Sequence, residues 1–158
     1  MDTVEQYYID LCKKRSDINE HLPTLMKYAS ECKSVFETGV RGCVSSWAFA
    51  YGLLQNGNES KHLFMNDIKS CYISHILNAT NSLPIRMEYE WKNNLEMDLK
   101  QSFDLTFIDT WHVYGQLIRE LRKFAKTTNK YIILHDTTVD EWEGESIRLN
   151  HNIHLQAK

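Results

Sequence analysis

Apolar residues recur along this chain in two rhythms. Residues about 3–14 carry Val4, Tyr7, Tyr8 and Leu11 on one stripe at helical spacing. A second helix is expected from Ser16 or Asp17, with Glu20 placed for a capping box, and it carries Ile18, Leu22, Leu25, Met26 and Ala29. Pro23 falls inside that run and predicts an early kink or a later start. Short apolar runs then alternate with helical ones. Strands are expected at 33–37, His62–Asn66, Pro84–Tyr89, Asp104–Ile108 and Tyr131–Leu134. Helices are expected at 43–55, 69–80, Asn94–Lys100 and Val113–Lys126, the last with Leu117, Ile118, Leu121 and Phe124 facing inward. Strands alternating with helices predict βαβ units and a parallel sheet buried on both faces.

The strand ends carry the chemistry. Glu37, Asp67, Asp109 and Asp136 each fall just past a predicted strand C-terminus. That edge is where open α/β sheets bind ligands. The first strand runs into VFETGVRGCVSSW, where Gly39 and Gly42 stand three apart between an acid and the hydroxyls of Ser45 and Ser46. Strand, glycine turn and helix together let a backbone approach a nucleotide-like ligand. Asp67 can accept hydrogen bonds from ribose hydroxyls, or it can simply cap the following helix. Asp109 and His112 lie three apart, and His135-Asp136 ends the fifth strand. Carboxylates on adjacent strand ends suit Mg²⁺ or a similar hard cation. His112 has the residue type of a general base near neutrality.

Composition narrows the classes. The chain has 158 residues, 42% of them hydrophobic and 25% charged, which suits one domain with a real core. A net charge of −3 gives no general attraction to nucleic acid or an anionic membrane. No apolar run approaches the roughly 20 residues of a membrane span, and the N-terminus lacks the apolar core of a signal peptide. The four cysteines form no CxxC pair, so reduced thiols and a cytoplasmic setting are expected.

The order of these motifs over residues 17–145 resembles class I S-adenosylmethionine-dependent methyltransferases. The resemblance implies a Rossmann-like three-layer αβα sandwich. Its N-terminal helices would span 1–32, the cofactor-binding core 33–136, and a short C-terminal segment 137–158. It also implies that Glu37, Gly39, Gly42 and Ser45 line the methionine end of the cofactor and that Asp67 takes the ribose. Asn93, or its neighbour Asn94, would sit near the adenine, and Asp109 would border the cofactor. DLTFIDTWHVY and YIILHDT are similar to the metal-dependent O-methyltransferases of catechols and sugars. There Asp109, His135 and Asp136 would hold Mg²⁺, and His112 would serve as the base. His135 stands where the sugar-modifying branch tends to carry an acid, and Thr137 where the catechol type has Asn. The family's sheet usually has seven strands. Here Ile153–Gln156 offers one further strand at most, which leaves an edge that a second copy of the chain could cover.

The implied activity is methyl transfer to a hydroxyl on a sugar or another small molecule. The alternative is a methyltransferase-fold binding or scaffold module without catalysis. A nicotinamide enzyme is disfavoured, because no GxGxxG is present.

Overall fold

The computed structural model describes residues 2–137 and Glu145. Its centre is β1 (Ser34–Thr38), flanked on both sides by strands that the sequence shows as apolar runs. These are β2 (His62–Asp67), β3 (Arg86–Trp91), β4 (Phe103–Ile108) and β5 (Thr128–Leu134). All pairings are parallel, in the order β3-β2-β1-β4-β5. The order reverses between β1 and β4, so their C-terminal ends flank the topological switch point. This is the expected Rossmann-like α/β architecture. The predicted strand at Ile153–Gln156 lies outside the described residues.

Alternation along β1 sends side chains to two different layers. Val35 joins the larger core with α1 (Asp2–Lys13), α2 (Leu22–Ser30), α3 (Val44–Gln55) and α4 (Ser74–Thr80). Phe36 belongs to the opposite layer, packed with Phe103, Ile108 and Phe124 of α5 (Tyr114–Phe124). Helix α3 lies between the sheet and α1 and α2, which explains why it is apolar nearly all round. Trp47 of α3 stacks on Tyr7 of α1 at 4.3 Å. Among the described residues, no helix is long and apolar enough to cross a membrane. The four cysteine thiols are free.

Several boundaries differ from expectation, each for a local reason. Pro23 starts α2 late, after a 3₁₀ turn at Asn19–His21. The capping partner is Asn19 rather than Glu20. The Ser16 hydroxyl accepts from the Asn19 amide at 3.0 Å, and Asn19 Oδ1 accepts from the Ser16 amide at 3.0 Å. The helix predicted from residue 69 begins only at Ser74. Upstream of it, Asp67 Oδ1 accepts from the Lys69 amide, and the Tyr89 hydroxyl accepts from the Cys71 amide, so those donors leave the helical pattern. The helix expected over Asn94–Lys100 shrinks to a 3₁₀ turn at Asn94–Glu96.

Candidate active site at the switch point

The glycine turn leaves β1 through Gly39, whose φ is +95°. A Cβ on Gly39 would lie 1.8 Å from the carbonyl oxygen of Asp109. Glycine is therefore required to let the β1 turn touch the end of β4. The two ends are also stitched by the Asp109 amide, which donates to the Thr38 carbonyl at 2.9 Å. Gly42 differs. A Cβ there would meet nothing closer than Val44 Cγ2 at 4.0 Å, so it faces open space above the turn. Arg41 and Cys43 also hold positive φ, at 45° and 61°. Left-handed backbone at non-glycine residues costs about 1–3 kcal/mol each and gathers at functional turns.

Asp67 holds that turn. Its Oδ2 accepts from the amides of Val40 and Arg41, both at 2.9 Å, while Oδ1 accepts from Lys69 at 2.8 Å. A carboxylate offers about four lone-pair sites, so roughly one stays open for a further donor. Asn93 caps the 3₁₀ turn, its Oδ1 accepting from the Leu95 amide at 3.1 Å.

Glu37 points away from the open space, into the layer of α3, and has no exposed surface. Its carboxyl group pairs with the hydroxyl of Ser45 and with that of Ser46, the latter at 2.6 Å. Both predicted residues, Glu37 and Ser45, thus support the turn from beneath. Burial raises the Glu37 pKa to about 8, against the two hydroxyl bonds that lower it. The folded state then holds this proton more tightly than the unfolded chain does. The resulting stability is fully present below the unfolded value and is lost as pH rises towards 8. Glu37→Gln is expected to flatten that loss in urea titrations run from pH 5 to pH 9. An unchanged slope would contradict it.

The cluster forms where β4 and β5 end. Asp109, His112, His135 and Asp136 can each offer one ligand atom, with all these atoms within 4.8 Å of one another. His112 Nε2 lies 3.1 Å from Asp109 Oδ1, and its Nδ1 lies 3.4 Å from Asp136 Oδ2. The Glu145 carboxylate accepts from the His112 amide at 3.1 Å. Asp136 holds φ at +52°, a conformation that glycine normally takes. Burial alone would raise the Asp109 carboxyl. The hydrogen bond with His112 and the adjacent His135 outweigh it and hold Asp109 at about 2. In return the Asp109 hydrogen bond raises His112 against its own burial, and Asp109 likewise raises His135.

Two cavities meet at this cluster. One, of about 280 Å³, is lined by Trp111, His112, Tyr114, Leu117, His135 and Asp136. The other, of about 320 Å³, lies across β5 against His21, Thr24 and Leu25 of the α2 region. Trp111 therefore belongs to a pocket wall, while Trp91, 66% exposed, ends the edge strand β3 in register with Asp67. Trp142 lies outside the described residues.

Sequence reasoning missed a buried polar chain beneath the site. Thr38 Oγ1 donates to Asn66 Oδ1 at 2.9 Å and accepts from Asn94 Nδ2 at 2.9 Å. Asn94 also donates to Glu120 Oε1 at 2.6 Å. Glu120 further accepts from the Thr110 hydroxyl and from Gln116. A signal for Glu120 existed, since it shares the stripe of Leu117 and Phe124 at spacings of three and four.

The fold is that of the class I S-adenosylmethionine-dependent methyltransferases. The N-methyltransferase NodS from Bradyrhizobium japonicum WM9 superposes with a TM-score of 0.58 at 15% identity, over 84% of this chain and 79% of that one. The Podospora anserina methyltransferase PaMTH1, bound to S-adenosylhomocysteine, gives 0.60 at 12% identity, over 95% and 72%. The O-methyltransferase TomG from Streptomyces achromogenes, bound to S-adenosylmethionine, gives 0.60 at 13% identity, over 91% and 64%. No family profile and no curated protein sequence matches the chain.

Proposed function

We propose that this chain is an S-adenosylmethionine-dependent methyltransferase that methylates a hydroxyl of a small molecule, such as a sugar, with the help of a divalent ion. One observation carries the reading. The glycine turn after β1 is pressed against Asp109, so a cofactor site and a His/Asp cluster share one corner of the sheet. The residues fit both groups: Gly42 opens onto free space, and His135 brings a ring nitrogen without a hydrogen-bond partner into the cluster.

When bound, S-adenosylmethionine supplies a sulfonium methyl for in-line displacement. The Gly39–Gly42 backbone would cradle it, Asp67 would accept one ribose hydroxyl, and Asn93 would border the adenine. Asp109, His135 and Asp136 would hold the ion, which would polarise the acceptor's oxygens. His112 would take the acceptor's proton at Nδ1, with Asp109, hydrogen-bonded to Nε2 at 3.1 Å, stabilising the imidazolium that forms. Trp111, Tyr114 and Leu117 would hold the acceptor in the 280 Å³ cavity and keep water from it. Methyl transfer needs alignment more than covalent help, which suits a site built from strand ends.

The experiment is methyl transfer from labelled S-adenosylmethionine to a panel of sugars and catechols, with a divalent ion present. A labelled methyl ether is expected from at least one hydroxyl compound. Label found only on amines, or on nothing, would overturn the reading. The scaffold alternative gains no specific observation from the site.

A further inference from the structure

His135 narrows the identity of the ion. Its side chain is 5% exposed, yet neither ring nitrogen makes a hydrogen bond. Nδ1 lies 3.2 Å from Asp109 Oδ1 and 3.3 Å from Asp136 Oδ1, close to both but off hydrogen-bond geometry. A buried ring nitrogen without a well-formed hydrogen bond costs about 1–3 kcal/mol, which a bound cation would remove. The separations match donors that share one ion. With metal–ligand bonds of about 2.0–2.1 Å, tetrahedral ligands stand about 3.3 Å apart. The cluster also mixes its donors, two imidazoles with two carboxylates. Mg²⁺ prefers oxygen ligands in a near-ideal octahedron and keeps several waters. Imidazole nitrogen instead suits the divalent transition metals.

We propose that Asp109, His135 and Asp136 form a site selective for a divalent transition metal over Mg²⁺, with His135 setting the selectivity. This rests on the reading of the cluster as an ion site. His112 is left outside the ligand set, with its role as proton acceptor. The site then differs at His135 from the Mg²⁺ site implied by the sugar-modifying enzymes, and at Thr137 as well from that implied by the catechol type. An acid at position 135 would complete an all-oxygen set, whereas histidine inserts a nitrogen.

The test uses the full chain stripped of metal with a chelator. Co²⁺ alone is titrated and followed by its visible d–d absorption and by calorimetry, with Mg²⁺ titrated in parallel. Wild type is expected to bind one Co²⁺ per chain, at least about 100-fold more tightly than Mg²⁺. His135→Asp restores an oxygen donor and should narrow that preference at least about tenfold. His135→Asn serves as a second variant should the first fail to fold, with the same narrowing expected. Equal affinity for Co²⁺ and Mg²⁺, no Co²⁺ binding, or a preference unchanged by both variants would each overturn the proposal. A parallel titration with S-adenosylhomocysteine separates the failures, because cofactor binding without Co²⁺ preference refutes only the metal assignment.

Discussion

His112→Ala is expected to lower kcat for methyl transfer by about 10²–10⁴-fold, the usual contribution of a positioned general base. The geometry explains why the loss should be that large. His112 stands between Asp109 at 3.1 Å and Asp136 at 3.4 Å, so both carboxylates can stabilise the charge it gains with a proton. Its ring also lines the cavity assigned to the acceptor. The affinity for S-adenosylhomocysteine should stay within about twofold of wild type, because the role proposed for the ring is with the acceptor's proton and not with the cofactor. Affinity for the ion should stay similar too. A variant that keeps full activity would remove His112 from the chemistry. One that loses the ion instead would make His112 a ligand.

Gly39→Ala is expected to cost about 2–6 kcal/mol of unfolding free energy, the sum of two penalties of about 1–3 kcal/mol each. One is backbone strain, since φ at Gly39 is +95°. The other is overlap, since the new Cβ would fall 1.8 Å from the Asp109 carbonyl oxygen and 2.5 Å from its carbon. That partner is backbone at the end of β4 and cannot swing aside like a side chain. The damage should therefore reach the cluster, and ion affinity should fall together with stability. Gly42→Ala supplies the contrast. Its Cβ enters open space, so stability should hold within about 0.5 kcal/mol while cofactor affinity weakens. Urea melts of both variants check the pair. Equal stability losses would contradict the division of labour between the two glycines.

Much of this architecture could be read from the chain, because buried parallel strands appear as apolar runs whatever surrounds them. The five strands, the late start of α2 at Pro23 and the acids at strand ends all follow from local pattern. What escaped depends on long-range partners. Residues 69–73 have helical spacing, but Asp67 and Tyr89 capture amides of that stretch. The need for glycine at position 39 looks local, as a turn conformation. Its stronger reason is contact with Asp109, 70 positions away in the sequence. Glu37 reads as a ligand contact by its position at the end of the first strand. The pleat sends it into the α3 layer, where Ser45 and Ser46 hold its carboxyl group. The chain through Thr38, Asn66, Asn94 and Glu120 joins four separate elements, so no single stretch of sequence displays it.

Calorimetric titration of the chain with S-adenosylhomocysteine tests the central claim most directly. Binding of one equivalent is expected, and Asp67→Ala should weaken it, since that change removes the proposed ribose acceptor and releases the Val40 and Arg41 amides that shape the turn. No binding at high micromolar concentration, or binding unaffected by Asp67→Ala, would contradict the account.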